Sequence, residues 1–111
     1  METAEIRYQS LLRTIARTAP STDLAAVARA YEFADAKHEH QLRKSGEPYI
    51  IHPLAVAEIV VEIGLDTDAV LTALLHDCLE DTDASFDEIC RLFGRPVAEL
   101  VEGVTKLTRV N

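Results

Sequence analysis

Ala73-Leu74-Leu75-His76-Asp77-Cys78-Leu79-Glu80-Asp81 passes without a polar buffer from an apolar run into residues that bind metals and move protons. A helix sorts the mixture. With His76 at zero and a step of about 100° per residue, Glu80 falls near ~40°, Asp77 near ~100° and Asp81 near ~140°. Leu74, Leu75, Cys78 and Leu79 point the other way. One face is therefore core, and the opposite face is an imidazole beside carboxylates, an arrangement suited to a divalent cation and an activated water.

Working outward, nearly every segment carries helical periodicity. Tyr8, Leu11, Leu12 and Ile15 mark a first helix, which Pro20 stops; Ser21, Thr22 or Asp23 caps the next. The second helix carries Leu24, Val27, Ala28, Tyr31 and Ala34 on one stripe and is expected to run to about Leu42. His38 and His40, near its end, read as exposed. Pro53 fits a first helical turn, which sets His52 at the N-terminus of a third helix ending at Gly64. Asp66 or Thr67 caps a fourth helix, the one bearing the acidic cluster. Ser85 and Glu88 form a capping-box pattern for a short fifth helix that Gly94 ends. Pro96 opens a sixth, from Val97 to about Val104. No segment alternates convincingly with period two, so the expected fold is all-α, an array of about six short helices.

Composition narrows the function. The 111 residues are 48% apolar with no Trp, enough for one aliphatic core, and the net charge of −8 offers no broad basic face for nucleic acid. Cys78 and Cys90 lie in apolar helical patterns, without metal-type spacing, and read as reduced core residues. No apolar run is long enough to span a membrane, and residues 1–5 lack signal-peptide character. The cytoplasm is the expected compartment.

A divalent cation of hard or borderline character accepts imidazole nitrogen and carboxylate oxygen. His76 and Asp77 can reach one ion from a helix edge, and His52 can close the site from another helix. Glu80 and Asp81, one turn on, are placed to orient or deprotonate water. The same spacing fits solvated surface acids. Two features favour metal: His52 is flanked by Ile50, Ile51 and Leu54, and a His-Asp pair directly after Leu75 needs a partner. Arg43-Lys44-Ser45, before Gly46, fits either a solvated loop or an anion and base clamp.

Three stretches together resemble a known family. They are residues 43–53 (RKSGEPYIIHP), the His76-Asp77-x-x-Glu80-Asp81 run and Val104-Thr105-Lys106-Leu107. They look like the hydrolase domain of RelA/SpoT-homologue enzymes, HD-superfamily proteins of the bacterial stringent response, and the likeness spans about residues 24 to 110. The resemblance implies an HD-type fold that binds manganese and removes the 3′-pyrophosphate of ppGpp and pppGpp, leaving GDP or GTP. It implies His52, His76 and Asp77 as metal ligands, Glu80 and Asp81 as the acidic pair, and Arg43, Lys44 and Ser45 as the nucleotide pocket, with Arg43 against guanine. His40 departs from the family pattern, which more often has Gly there, and Cys78 replaces an aliphatic residue. The resemblance further implies a last Asp ligand in an Ala-Asp-Arg-Leu-His-Asn-like motif beyond Asn111. The expectation is thus a C-terminally truncated hydrolase domain over 1–111, with an N-terminal helix in 1–20 and the motif-bearing helices in 21–111. It is the N-terminal part of a bifunctional enzyme, with self-association through uncovered apolar surface. A generic HD nucleotide phosphohydrolase and a non-catalytic helical fragment are the alternatives.

Overall fold

The computed structural model describes residues 2–108, and these form helices without any strand; residues 109–111 of the expected domain lie outside the described residues. The helices are α1 (Ala4–Thr18), α2 (Leu24–Lys37), α3 (Ile51–Glu62), α4 (Thr67–Leu75), α5 (Cys78–Asp81), α6 (Phe86–Phe93) and α7 (Arg95–Thr108). None is long and apolar enough to cross a membrane.

Local chemistry sets the boundaries. Asp23 and Asp66 accept the Ala26 and Ala69 N–H groups as N-caps of α2 and α4, at 3.1 and 3.0 Å. Ser85 does the same for Glu88 at 3.1 Å, but the Glu88 carboxylate leaves the capping box and lies 3.3 Å from Lys37. α3 ends in a Schellman turn: Gly64 N–H bonds the Val61 carbonyl and Leu65 N–H the Val60 carbonyl, with Gly64 at φ 88°. A Cβ on Gly64 would have nothing within 4 Å, so Gly64→Ala should cost only its conformational strain. Urea unfolding is expected to read a loss of about 1–2 kcal/mol; an unchanged midpoint would contradict that reading of the turn.

Three boundaries differ from the sequence reading. α2 ends at Lys37 rather than near Leu42, because His38 turns in as the C-cap. Its Nδ1 pairs with Gln41 Oε1 at 3.1 Å and its ring is only 3% exposed, so the expectation of a solvent-facing His38 is corrected. The final helix starts at Arg95 and continues to Thr108. The fourth expected helix is interrupted at His76-Asp77. There His76 Nδ1 lies 2.6 Å from the Ala73 carbonyl, the acceptor that a continuous helix would offer to the Asp77 N–H. Asp77 then sits at φ −88°, ψ −5° and starts the short α5.

α4 is the centre of the packing, touching α2, α3 and α7, and α3 lies between α1 and α4. Leu54, Leu74, Leu75, Val61 and Val70 meet there, each at most 1% exposed. Tyr8 and Tyr31 stack at 4.0 Å between α1 and α2, and Phe33 meets Phe93 edge-on at 5.5 Å between α2 and α6. This frame fixes the start of α3 against the end of α4, which brings His52 to His76.

Candidate metal and nucleotide site

His52 lies in the first turn of α3, and His76 and Asp77 form the link between α4 and α5. One donor atom from each can be chosen so that all three lie within 4.8 Å of one another. The imidazoles face edge to face, with centroids 5.6 Å apart. Because a carbonyl only accepts, the contact to Ala73 puts a proton on His76 Nδ1 and leaves Nε2 as the free donor. That Nε2 lies 3.2 Å from Asp77 Oδ2. Two lone pairs facing each other across this gap require a positive charge between them, a proton or a metal ion. Burial first, then the Arg43 charge, lower the His52 pKa; Asp77 opposes them and His76 adds to them. His52 is thereby kept in the neutral, ligating form. The donor set, two imidazoles and one carboxylate, fits a divalent cation.

A cleft of about 920 Å³ opens beside this group. Arg43, Lys44, Ser45, His52 and Asp77 all line it, so five sequence-predicted residues from three segments converge on one space. The cationic loop is a turn closed by Gly46 N–H on the Arg43 carbonyl at 2.8 Å and Arg43 N–H on the Glu47 carbonyl at 2.9 Å. Lys44 and Ser45 occupy its central positions, and Gly46 has φ 91°, a conformation that favours glycine. His40 is exposed, as expected, at φ 69°.

Glu80 and Asp81 are exposed and do not line the cleft. Glu80 Oε2 accepts from Thr108 Oγ1 at 3.1 Å. Asp81 is joined to the cleft wall by Tyr49, whose hydroxyl donates to Asp81 Oδ2 at 2.5 Å. Burial first, then this hydrogen bond, raises the Tyr49 pKa, so the phenol stays a donor. Gln41 Nε2 donates to the Asp81 carbonyl at 3.0 Å, while Gln41 also pairs with His38. His38 stacks on Tyr49 at 4.7 Å and lies 3.8 Å from Cys78 Sγ. Burial first, then the Asp77 charge, pushes the Cys78 thiol up to about 12, in keeping with a reduced core cysteine. A network of His38, Gln41 and Tyr49 therefore ties the loop that carries Arg43 to the end of α5. Sequence reading missed these three. For His38 the signal was present: it continues the buried stripe Val27, Ala30, Ala34 at helical spacing.

Residues 30–111 match the family described as HD domain. A guanosine-3′,5′-bis(diphosphate) 3′-pyrophosphohydrolase of Aquifex aeolicus is 57% identical over 84 residues, 76% of this chain and 12% of that protein. The bifunctional (p)ppGpp synthase/hydrolase SpoT of Escherichia coli is 47% identical over 103 residues, 93% of this chain and 15% of that one. The solved structure of a metazoan SpoT ortholog, described as hydrolysing ppGpp, matches with a TM-score of 0.69 and 40% identity. That match covers 73% of this chain and 48% of that chain. The chain thus spans between 12% and 15% of the length of these two curated relatives.

Proposed function

This chain belongs to the HD-domain family, and from that premise we propose that it is the hydrolase part of a RelA/SpoT-type enzyme, cleaving the 3′-pyrophosphate from ppGpp and pppGpp to leave GDP or GTP. Residues 1–111 form part of that hydrolase domain, with α1 as its N-terminal helix and 21–111 carrying the motif residues. The observation that carries the proposal is His76 Nε2 held 3.2 Å from Asp77 Oδ2, with His52 as third donor, beside a cleft walled by Arg43 and Lys44.

His52, His76 and Asp77 would hold the ion, and manganese suits their mixed nitrogen and oxygen set. A divalent ion there supplies Lewis acidity at a phosphoryl oxygen and lowers the pKa of water. The chain's own residues do the rest. Arg43 presents a planar guanidinium for a base or a phosphate, Lys44 a point charge, and Ser45 a hydroxyl. Water adds to the phosphorus attached to the ribose 3′ oxygen. The P–O bond to that oxygen breaks, the oxygen takes up a proton, and pyrophosphate leaves. Asp81, joined to the cleft wall by Tyr49, and Glu80 stand outside the cleft lining; as the acidic pair they would receive and return protons through intervening water. The reading includes a cytoplasmic location and association between copies through the apolar groove lined by Val56, Val60, Leu65 and Leu100.

The test is product analysis with manganese and ppGpp, alone and in competition with deoxynucleoside triphosphates and cyclic nucleotides. GDP and pyrophosphate in equal amounts, with little inhibition by the competitors, is expected. Release of orthophosphate, or equal turnover of the competitors, would replace the alarmone reading with a generic phosphohydrolase. Tyr49→Phe is expected to lower turnover about tenfold by freeing Asp81, roughly 1.5 kcal/mol for a hydrogen bond to a charged group. Manganese affinity should not change, and an equal loss of both would place Tyr49 in the metal site instead.

A further inference from the structure

Arg7 stands apart from the residues used so far. It lies on α1 yet lines the same cleft as Arg43, Lys44, His52 and Asp77. Three of the chain's 11 Lys and Arg, Arg7, Arg43 and Lys44, line this one space together with the carboxylates of Glu2, Glu47 and Asp77. Arg7 also carries one of two buried side-chain N/O atoms without a hydrogen-bond partner among the described residues, its Nε. Its side-chain partner is Glu2, at 3.4 Å from Nη1, a partly exposed contact worth little by itself. The other such atom is Glu58 Oε1, and a buried donor left without a partner costs free energy.

Its position is set by a clamp. Arg7, Ser10 and Thr14 follow one another at helical spacing along α1. Ser10 and Thr14 both donate to Glu58 Oε2 of α3, at 3.0 and 2.7 Å. Glu58 lies two turns along α3 from His52, and Ala55, between them, shares the cleft lining with Arg7. α1 is thereby seated on α3 with Arg7 in the lining of the cleft.

We infer that Arg7 is a specificity residue that binds the phosphate chain the enzyme does not cleave, the 5′-diphosphate or triphosphate of the nucleotide. The inference rests on the alarmone reading above. The guanidinium edge now loosely held by Glu2 turns to a phosphate, which accepts two parallel N–H bonds where Glu2 accepts one. Arg7 then acts on binding and on the choice of nucleotide, and the bond-breaking end of the cleft is left to His52 and Asp77, which line it, and to His76 paired with Asp77.

Calorimetric titration of the chain with ppGpp, GDP and inorganic pyrophosphate, in the presence of manganese, tests this. Arg7→Ala should weaken ppGpp and GDP binding roughly ten- to a hundredfold and leave pyrophosphate, which reports the metal end, within about twofold. Glu2→Gln should tighten GDP binding by a few-fold, since it frees Arg7 without touching the core. Equal GDP affinity in the wild type and both variants overturns the role of Arg7 and leaves the hydrolase reading standing. Weakened pyrophosphate binding in Arg7→Ala likewise overturns it, by moving Arg7 to the cleaved group. Should Arg7→Ala fail to fold, Arg7→Gln, which keeps most of the side chain's length without its charge, decides in its place. A wild-type chain that binds neither ppGpp nor GDP overturns both readings.

Discussion

Replacing Asp77 with alanine is expected to abolish manganese-dependent release of pyrophosphate while leaving the fold in place. The Asp77 carboxylate makes no N-cap hydrogen bond for α5, although it sits at that position, so the backbone does not depend on it. Its short contact is to His76 Nε2, at 3.2 Å. Removing the carboxylate takes away the anionic member of the donor set. Stability should therefore stay within about 0.5 kcal/mol of the wild type. The rate should fall by at least about a thousandfold, which is roughly 4 kcal/mol of lost charge stabilisation. His76→Ala should lose activity to the same extent, with an added effect on stability because the bond to the Ala73 carbonyl also goes. Steady-state assays across manganese concentrations, paired with urea unfolding, check both. Retained turnover in Asp77→Ala would remove the carboxylate from the chemistry.

Leu75→Ala is expected to cause the largest loss of stability. Leu75 ends α4, is 0% exposed, and sits in the centre of the helix array immediately before His76. A leucine-to-alanine change at such a position loses transfer free energy and leaves a cavity, about 3–4 kcal/mol together. For a chain of this size that is a Tm lower by roughly 15 °C. Leu107→Ala is the matched control, because Leu107 is 73% exposed and should cost no more than about 0.5 kcal/mol. If thermal and urea unfolding place the two variants together, α4 is not the core helix described above.

Much of this was legible in the sequence because it is local. The caps Asp23, Asp66 and Ser85, the stop at Gly64 and the apolar stripes each depend on neighbours within a turn or two. His52, His76 and Asp77 were also legible, since ionisable groups amid Ile and Leu need partners. The break in the fourth helix was not, because a side chain competing for the Ala73 carbonyl has no periodic signature. Nor could spacing show that Asp81 leans on Tyr49, 32 residues away, or that Glu58 seats α1 from 44 and 48 residues away. Those contacts follow from how α1 packs on α3 and how the loop before α3 meets the end of α5. His38 was misplaced for a different reason: its polarity was weighed above its register, although the register alone put it inside.

In the proposed site His52 and His76, from different segments of the chain, share one ion with Asp77. Imidazole resonances followed during a titration with divalent metal read this directly. The ring signals of His52 and His76 should respond together and saturate at one ion per chain, and neither should respond in Asp77→Ala. Signals that respond at different stoichiometries, or that respond as before without the carboxylate, would contradict it.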